Sequence, residues 1–348
     1  DCVTVEPLHL AVGRSVKLAR DAINCGYTSV REVGGFGVYV KRLIDEGVIQ
    51  GPHIYAAGKA LSITGGHGDS HNFPLGFVCC PHDGSSGKWS HIVDGADQCL
   101  FGVRNNIRNG AKCIKIMATG GVATLHDPVD VTQFNEEEIR AIVKECDKNG
   151  IIVCAHCHGR NGIETCIENG VYCIEHGTFL DDALAKKMAE KQCVYCPTRY
   201  IVERSAKDAS LLPEQGKAKL MKVIDANRNA IKTAIKHGVT ICAGTDLAWD
   251  DWGNNTLELK YYVDAGMSEL EAIECATANG PLSLGNPVKH RNVPKSGQIK
   301  KGYDADLIAI INDKNPLKDV TVLCDANNIG IVWKSGNVVK NICSRSKL

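Results

Sequence analysis

The sequence has few aromatic residues, no excess of either charge and no long apolar run. Its 40 basic and 40 acidic residues cancel to a formal net charge of +0, so charge gives no reason to propose nucleic acid or an anionic membrane as a partner. No apolar stretch approaches the ~20 residues that a membrane-spanning helix needs, and we expect a soluble protein. Aromatic residues make up 5% and apolar residues 44% of the 348 positions, as in an aliphatic globular protein with room for one large domain and an appendage.

Cysteine, by contrast, is abundant. Seventeen cysteines would suggest a disulfide scaffold in a small secreted domain, but a chain of this length can build a core without one. Apolar, strand-like runs of the sequence contain Cys113, Cys154, Cys173 and Cys242. Cysteine behaves there as a small hydrophobic residue, which favours a reducing compartment. The last three residues, 346–348, read Ser-Lys-Leu and match a peroxisomal import signal, so we predict a cytoplasmic or peroxisomal location.

Short apolar runs alternate with helices through most of the chain. Seven runs lack polar alternation, as parallel strands buried on both faces do, and they cover 27–33, 53–58, 113–121, 151–159, 171–177, 193–198 and 239–246. Capping boxes predict helix starts at Asn135, with Glu138, and at Ser268, with Glu271. The alternation predicts an α/β fold, a TIM-like (β/α)₈ barrel. With seven strands, and a first helix over 8–23 that follows no strand, this barrel lacks its first strand.

The pattern changes after residues 279–281. Short strands separated by glycines follow, over 305–311, 329–333 and 337–340. We therefore predict two units, a barrel over residues 1–290 and a small β-sandwich appendage at the C-terminal end, over residues 291–348.

The segment CAHCH, residues 154–158, admits three interpretations: covalent haem attachment, a structural zinc site, or a functional strand end with two histidines. In a strand, His156 and His158 share one face with Cys154, and Cys157 points to the other face. Haem attachment needs both thiols at one edge of the macrocycle. A structural zinc site needs a second Cys or His pair, which the sequence does not offer nearby. The third interpretation is therefore favoured.

Polar residues recur where predicted strands end. The set on or at these C-terminal ends is Lys115, His156, His176 and Asp246. Each has an ordinary structural explanation, since a strand-end histidine is often a hydrogen-bonded core residue, an aspartate often caps the next helix, and a lysine can extend its amine to solvent. Barrel enzymes keep their active sites at this face, however, and the four together favour a site.

The order of these four residues resembles that of the amidohydrolase superfamily, and in particular its ochratoxinase-like and Xaa-Pro/Xaa-Arg dipeptidase-like branch. Similar segments occur over nearly the whole chain, at 26–35 (GYTSVREVGG), 65–69 (GGHGD), 115–122 (KIMATGGV), 155–159 (AHCHG), 175–178 (EHGT), 243–246 (AGTD) and 276–285 (ATANGPLSLG). Segment 297–310 is similar to the β appendage of that family.

The resemblance implies a zinc-dependent hydrolase that cleaves an amide bond in a dipeptide or an N-acyl amino acid. Lys115 would react with CO₂ to form a carbamate that bridges two zinc ions. His156 and His176 would complete the site of one zinc ion. Asp246 would bind the other zinc ion and act as the general base.

The resemblance also implies residues that contact the small-molecule substrate. His158 and His67 would lie near the scissile carbonyl. Arg199 or Tyr200 would bind a substrate carboxylate. A homo-oligomer is compatible with this assignment.

One feature departs from the family. Its first strand carries an H-x-H pair for the second zinc ion, and here the segment 1–5 has Val3 and Val5 in both histidine positions. We favour the interpretation that the H-x-H strand precedes Asp1. If the gene encodes the two valines instead, one zinc site is lost. A catalytically inactive barrel is then the alternative. A hydrolase of cyclic, imidazolone-type amides and a haem or redox protein are further alternatives.

Overall fold

The computed structural model describes residues 7–74, 89–247, 252–311 and 314–343. Its strands are β1 Ser29–Glu32, β2 His53–Ala56, β3 Ala60–Ser62, β4 Ser90–Ile92, β5 Ile114–Met117, β6 Val153–Cys157, β7 Cys173–His176, β8 Val194–Cys196, β9 Thr240–Ile241, β10 Leu307–Ile310, β11 Ile329–Lys334 and β12 Asn337–Asn341. Its α-helices are α1 Leu8–Asn24, α2 Gly37–Asp45, α3 Ala96–Arg108, α4 Glu136–Lys148, α5 Arg160–Glu168, α6 Asp182–Glu190, α7 Arg199–Lys207, α8 Glu214–Lys236, α9 Leu257–Asp264 and α10 Glu269–Ala276. Turns of 3₁₀ helix cover Ala209–Leu211, Asn254–Thr256, Gly280–Leu284, Val320–Cys324 and Ala326–Asn328.

Parallel strands and their helices form the larger part of the molecule. Seven strands pair in the order β4-β3-β5-β6-β7-β8-β9, and β1 pairs with β2 in a second parallel sheet. The amide of Lys112, just before β5, donates to the carbonyl of Ala56 in β2 at 2.7 Å, which joins the two sheets. The predicted α/β class is confirmed. Each of the seven predicted runs contains one of β1, β2 and β5–β9, while β3 and β4 were not predicted because three residues are too few to show a period.

The helix starts follow from local side-chain chemistry. Asn135 accepts from the amide of Glu138, whose carboxylate accepts from the Asn135 amide, and Ser268 and Glu271 make the same reciprocal pair. Both predicted capping boxes are confirmed. Among the described residues, no helix is both long and apolar enough to cross a membrane.

The core lies on both faces of the barrel sheet. Ile116 of β5, Ile139 of α4 and Ile163 of α5 are fully buried between strands and helices. A second cluster fills the barrel interior, and its cysteines, which we call the thiol layer, are Cys113, Cys154, Cys173, Cys196 and Cys242. Cys157 packs in the first cluster and Cys154 in the second. The prediction that these two thiols point to opposite faces is confirmed.

The three C-terminal strands form an antiparallel sheet in the order β10-β11-β12. Ile329 and Val332 of β11 pack against Ile23 of α1. The Lys340 ammonium donates to the carbonyl of Asn24 at 2.7 Å. A β unit at the C-terminal end is therefore confirmed as one sheet, and the boundary between residues 290 and 291 stays a prediction.

Two predictions fall on residues outside the described ranges. They concern the valines in segment 1–5 and the tripeptide at 346–348. The location in the cytoplasm or peroxisome, the homo-oligomer and the upstream H-x-H strand therefore stay predictions.

Candidate metal centre

Three buried histidines meet at the C-terminal ends of neighbouring strands. His156 lies in β6, His158 follows that strand directly, and His176 is the last residue of β7. One ring nitrogen from each lies within 4.8 Å of the others, close enough to share one ion. The strand register brings them together, because Cys157 of β6 pairs with His176 of β7. The structure thus assembles the two predicted metal ligands and adds His158, which we had placed near the substrate.

The hydrogen bond of His156 fixes which ring nitrogen is free. Its Nε2 lies 3.1 Å from the carbonyl oxygen of Gly120. A carbonyl only accepts, so Nε2 carries the hydrogen and Nδ1 keeps its lone pair. His156 therefore offers Nδ1 to a metal ion.

The opposite nitrogen is free in His176. Its Nδ1 lies 2.6 Å from Oγ1 of Thr198, and that hydroxyl donates its hydrogen to the carbonyl of Pro197 at 2.8 Å. The hydroxyl must therefore accept from Nδ1, which leaves the lone pair on Nε2. For His158, the 2.7 Å contact between Nδ1 and Oγ1 of Thr178 is compatible with either tautomer.

Burial keeps the three histidines uncharged. Desolvation, helped by the neighbouring His67 and Lys115, lowers the pKa of His158 to about 3. Desolvation, followed by nearby histidines and Lys115, also lowers the pKa of His156 and His176 well below 6.5. Metal ions bind the neutral imidazole, so near neutral pH the group has the protonation state that a metal site requires.

Strained backbone presents His176 to the site. His176 has φ 68° and Thr198 has φ 52°, both in the left-handed region that side-chain-bearing residues rarely adopt. The carbonyl of His176 accepts from the Tyr195 hydroxyl at 2.8 Å and from Nδ2 of Asn227 at 3.2 Å. Asn227 is fully buried on α8 and also donates to the carbonyl of Pro197 at 3.1 Å. Three donor–acceptor contacts therefore hold the ends of β7 and β8 in place.

Lys115 lies beside this group in β5 and is 3% exposed. Within residues 7–74, 89–247, 252–311 and 314–343, no hydrogen bond or ion pair joins its ammonium to another residue. Its charge nevertheless lowers the pKa of His156 and His158. A largely buried amine that bonds no described residue is available to a ligand or to modification.

Asp246 follows β9 and differs from the histidines in its surroundings. Its φ is 53°, again in the left-handed region, and more of its surface is exposed. Desolvation raises the pKa of Asp246, and the charges of Lys115 and His67 oppose that rise. In the described part of the chain, no carboxylate lies within the 4.8 Å span of the three histidines.

His67 comes from the loop after β3 and completes the histidine cluster. Its ring stacks on that of His156 with the centroids 4.1 Å apart. Gly121 lies directly beneath it, since a Cβ on Gly121 would sit 2.0 Å from Cε1 of His67. The second glycine of the segment 115–122 is therefore required for His67 to take this place.

The two candidates for a substrate carboxylate lie at the start of α7. Arg199 is 1% exposed, and its guanidinium donates to the Glu203 carboxylate, to Oδ1 of Asn227 at 3.3 Å and to the carbonyl of Ile224. Tyr200 is 5% exposed, and its amide donates to Glu258. Their substrate roles stay predictions.

Sequence patterns alone do not identify the residues that orient the histidines. Thr178 and Thr198 each stand two residues after a strand end, and a threonine at that position was the available signal. Asn227 gave no signal, because it lies 51 residues from His176 in the chain.

Comparisons with known proteins agree with this geometry. A profile of the Amidohydrolase family matches residues 3–339. Ochratoxinase from Aspergillus niger is 40% identical over 336 residues, which are 93% of this chain and 68% of that protein. The crystal structure of A. niger ochratoxinase superposes with a TM-score of 0.86 at 38% identity and covers 94% of this chain and 75% of that chain.

Two further solved structures are similar. A prolidase complexed with N-methylphosphonate-L-proline has a TM-score of 0.87 at 33% identity, and a Xaa-Pro dipeptidase with bound methionine has a TM-score of 0.85 at 32% identity. Each covers 97% of this chain and 81% of the other chain. These similarities confirm the predicted TIM-like barrel. The chain belongs to the amidohydrolase family and is a hydrolase that acts on amide carbon–nitrogen bonds.

Proposed function

We propose that this protein is a zinc-dependent amidohydrolase that cleaves the amide bond of a dipeptide or an N-acyl amino acid. One observation carries the proposal. His156 and His176 keep free lone pairs on Nδ1 and Nε2, fixed by their hydrogen bonds to Gly120 and Thr198, beside the buried ammonium of Lys115. A histidine with only a structural role has no need for a free nitrogen in a shared buried space.

The side chains in this place fit a zinc ion. Imidazole nitrogens are ligands that zinc prefers, and both rings are held by a second contact, as zinc-binding histidines usually are. Lys115, as a carbamate, would replace a costly buried cation with an anionic oxygen ligand, and Asp246 would hold a second ion. Bound zinc would polarise the scissile carbonyl and make water a better nucleophile.

The chain's own residues account for substrate positioning and proton transfer. Asp246 is accessible enough to take a proton from the attacking water and to deliver it to the leaving amine. His67 and His158 line the same space and would lie near the scissile carbonyl. For a substrate carboxylate we favour Tyr200, because Arg199 already donates to Glu203 and to residues of α8.

The substrate class is inferred from the relatives. One similar structure is named a Xaa-Pro dipeptidase and another holds N-methylphosphonate-L-proline. Ochratoxinase is the curated relative at 40% identity. These names favour amides formed by an amino acid, and a panel of Xaa-Pro dipeptides and N-acyl amino acids is the first to assay.

Metal content and turnover test the proposal together. Full-length protein should contain about two zinc ions per chain and hydrolyse members of the panel. Lys115→Ala should lose most of the zinc and at least about 100-fold in kcat/KM, whereas Lys144→Ala, which changes an exposed lysine on α4, should keep both. Folded full-length protein with little zinc would overturn the proposal. Turnover of an imidazolone-type cyclic amide alone would replace the proposed substrate class.

A further inference from the structure

His67 is held by a chain of contacts that the catalytic proposal does not use. Its Nδ1 lies 2.9 Å from Oγ1 of Thr124 and 3.3 Å from Oδ2 of Asp127. Oδ2 of Asp127 also accepts from the amide of Gly121 at 2.9 Å. One carboxylate therefore contacts both the His67 ring and the backbone beneath that ring. In the described residues, Nε2 of His67 has no hydrogen-bond partner.

Asp127 is in turn fixed by a lysine from a distant helix. The side chain of Asp127 is 2% exposed, and its Oδ1 accepts from the ammonium of Lys219 on α8 at 3.2 Å. The same ammonium lies 3.0 Å from the carbonyl of Gly121, 2.7 Å from that of Thr124 and 2.7 Å from that of Asp127. Lys219 therefore ties the whole segment 121–127 to α8, and its own side chain is only 15% exposed.

The same helix also supports the metal centre from another side. Eight positions further along α8, Asn227 holds the carbonyls of His176 and Pro197. α8 is thus a common frame for a predicted metal ligand and for His67. This arrangement is expected where catalytic groups must be held to within fractions of an ångström.

We propose that Asp127 and Lys219 are positioning residues that hold the His67 ring with Nδ1 engaged and Nε2 presented to the substrate. The kinetic part of this inference rests on the proposed amide hydrolysis. The structural part, the orientation and tautomer of His67, does not. Because Asp127 accepts at Nδ1, its carboxylate selects the tautomer with hydrogen on Nδ1 and a lone pair on Nε2.

The test compares Asp127→Asn and Lys219→Met with Lys217→Met, which removes a surface lysine of α8 that pairs with Glu214. In each full-length, zinc-loaded protein we would measure kcat, KM, zinc content and the side-chain nitrogen resonances of His67, assigned with His67→Gln. Asp127→Asn and Lys219→Met should shift or broaden the His67 resonances and lower kcat by about 10- to 100-fold, with KM within about threefold and zinc unchanged. Lys217→Met should change none of these, and Lys219→Arg should restore part of kcat.

Two results would overturn the inference. One is an unchanged His67 resonance in both Asp127→Asn and Lys219→Met. The other is a shifted resonance with wild-type kcat. If Lys219→Met does not fold, the nearly isosteric Asp127→Asn carries the test. If the wild-type protein hydrolyses no member of the panel, the proposed function fails alone, and the resonance still decides whether Asp127 and Lys219 orient His67.

Discussion

At the mouth of the barrel, His156 and His176 each make a hydrogen bond through one ring nitrogen and leave the other nitrogen free. Deeper inside the barrel, Arg31 and Glu175 form an ion pair at 2.7 Å. The thiol layer surrounds this ion pair. Cys113 of that layer lies two residues before Lys115, so the two side chains share one face of the strand and Cys113 lies deeper in the barrel. Both regions are buried and both contain charge. The two deeper charges neutralise each other, while at the mouth the free histidine nitrogens and the Lys115 ammonium bond no described residue.

The charged groups of the two regions also differ in whether an opposite charge lies beside them. Although burial opposes it, Arg31 and Lys115 hold the pKa of Glu175 below its ordinary value of 4.5. The deeper pair is therefore ionised and its two charges compensate each other, although Nη1 of Arg31 has no hydrogen-bond partner among the described residues. Lys115 has no such partner among the described residues, which is the condition of a group that awaits a ligand. Burial of a polar group therefore does not by itself mark a functional site. What distinguishes the mouth is a group of neutral histidines with free ring nitrogens beside a cation that bonds no described residue.

The largest effect is expected from breaking the deeper pair. Arg31→Met should lower the free energy of unfolding by about 3–5 kcal/mol, because Glu175 is left charged and uncompensated. Denaturant unfolding measures the loss. The double variant Arg31→Met/Glu175→Met should recover most of it, since no charge then remains buried. A single variant as stable as the wild type would mean that Arg31 does not compensate the charge of Glu175.

The same kind of substitution at the mouth should remove zinc binding rather than stability. Lys115→Met replaces an ammonium that bonds no described residue with an apolar side chain of similar length. In the metal-free protein it should change the free energy of unfolding by less than about 1 kcal/mol, because the relief of desolvation and the lost attraction to Glu175 oppose each other. Lys144→Met on the surface is the control. A loss of stability as large as that of Arg31→Met would show that the ammonium has a partner in solution.

The side chains that hold the backbone of His176 should affect stability less than Arg31 does and zinc binding less than Lys115 does. Asn227→Ala removes one of the two donors to the carbonyl of His176 and one of the two donors to the carbonyl of Pro197. It should cost about 1–3 kcal/mol of stability and weaken zinc binding, because the strained φ of His176 loses a restraint. Tyr195→Phe removes the other donor to His176 and is the matched comparison. Zinc affinity equal to that of the wild type in both variants would contradict this role.

The smallest effect concerns a buried carboxyl outside both regions. Burial raises the pKa of Glu32 to about 7, and it also raises the pKa of Glu258 to about 7. Each of these carboxyls therefore contributes stability that is full below about pH 4.5 and is lost as the pH rises to about 7. The three buried histidines, whose pKa burial lowers, act in the opposite direction below about pH 6.5. Glu32→Gln removes one of the two carboxyl contributions, so the slope of unfolding free energy against pH should become more positive in this window, by up to about 1.4 kcal/mol per pH unit. An unchanged slope would contradict the raised pKa.

Much of the site was predictable because it depends on local sequence. Lys115 stands out as a charged residue within an apolar run, and His156 and His176 fall at strand ends, so the strand pattern placed all three at the same end of the barrel. The opposite faces of Cys154 and Cys157 followed from the two-residue period of a strand.

Contacts between distant segments were not predictable. Lys219 and Asp127 are 92 residues apart in the chain, and neither belongs to a pattern that marks a site. The guanidinium of Arg199 lies near the strand ends, but residues 25 and 28 positions later on α8 accept its hydrogens. A sequence shows which residue types are available, while long-range packing decides which of them are already bonded.

Anomalous diffraction at the zinc absorption edge, on crystals of the full-length zinc-loaded protein, tests the central claim most directly. The account predicts an anomalous peak about 2.1 Å from both Nδ1 of His156 and Nε2 of His176, with density for a modified Lys115 beside it. A peak at Nε2 of His156, or folded protein with no peak near these histidines, would contradict it.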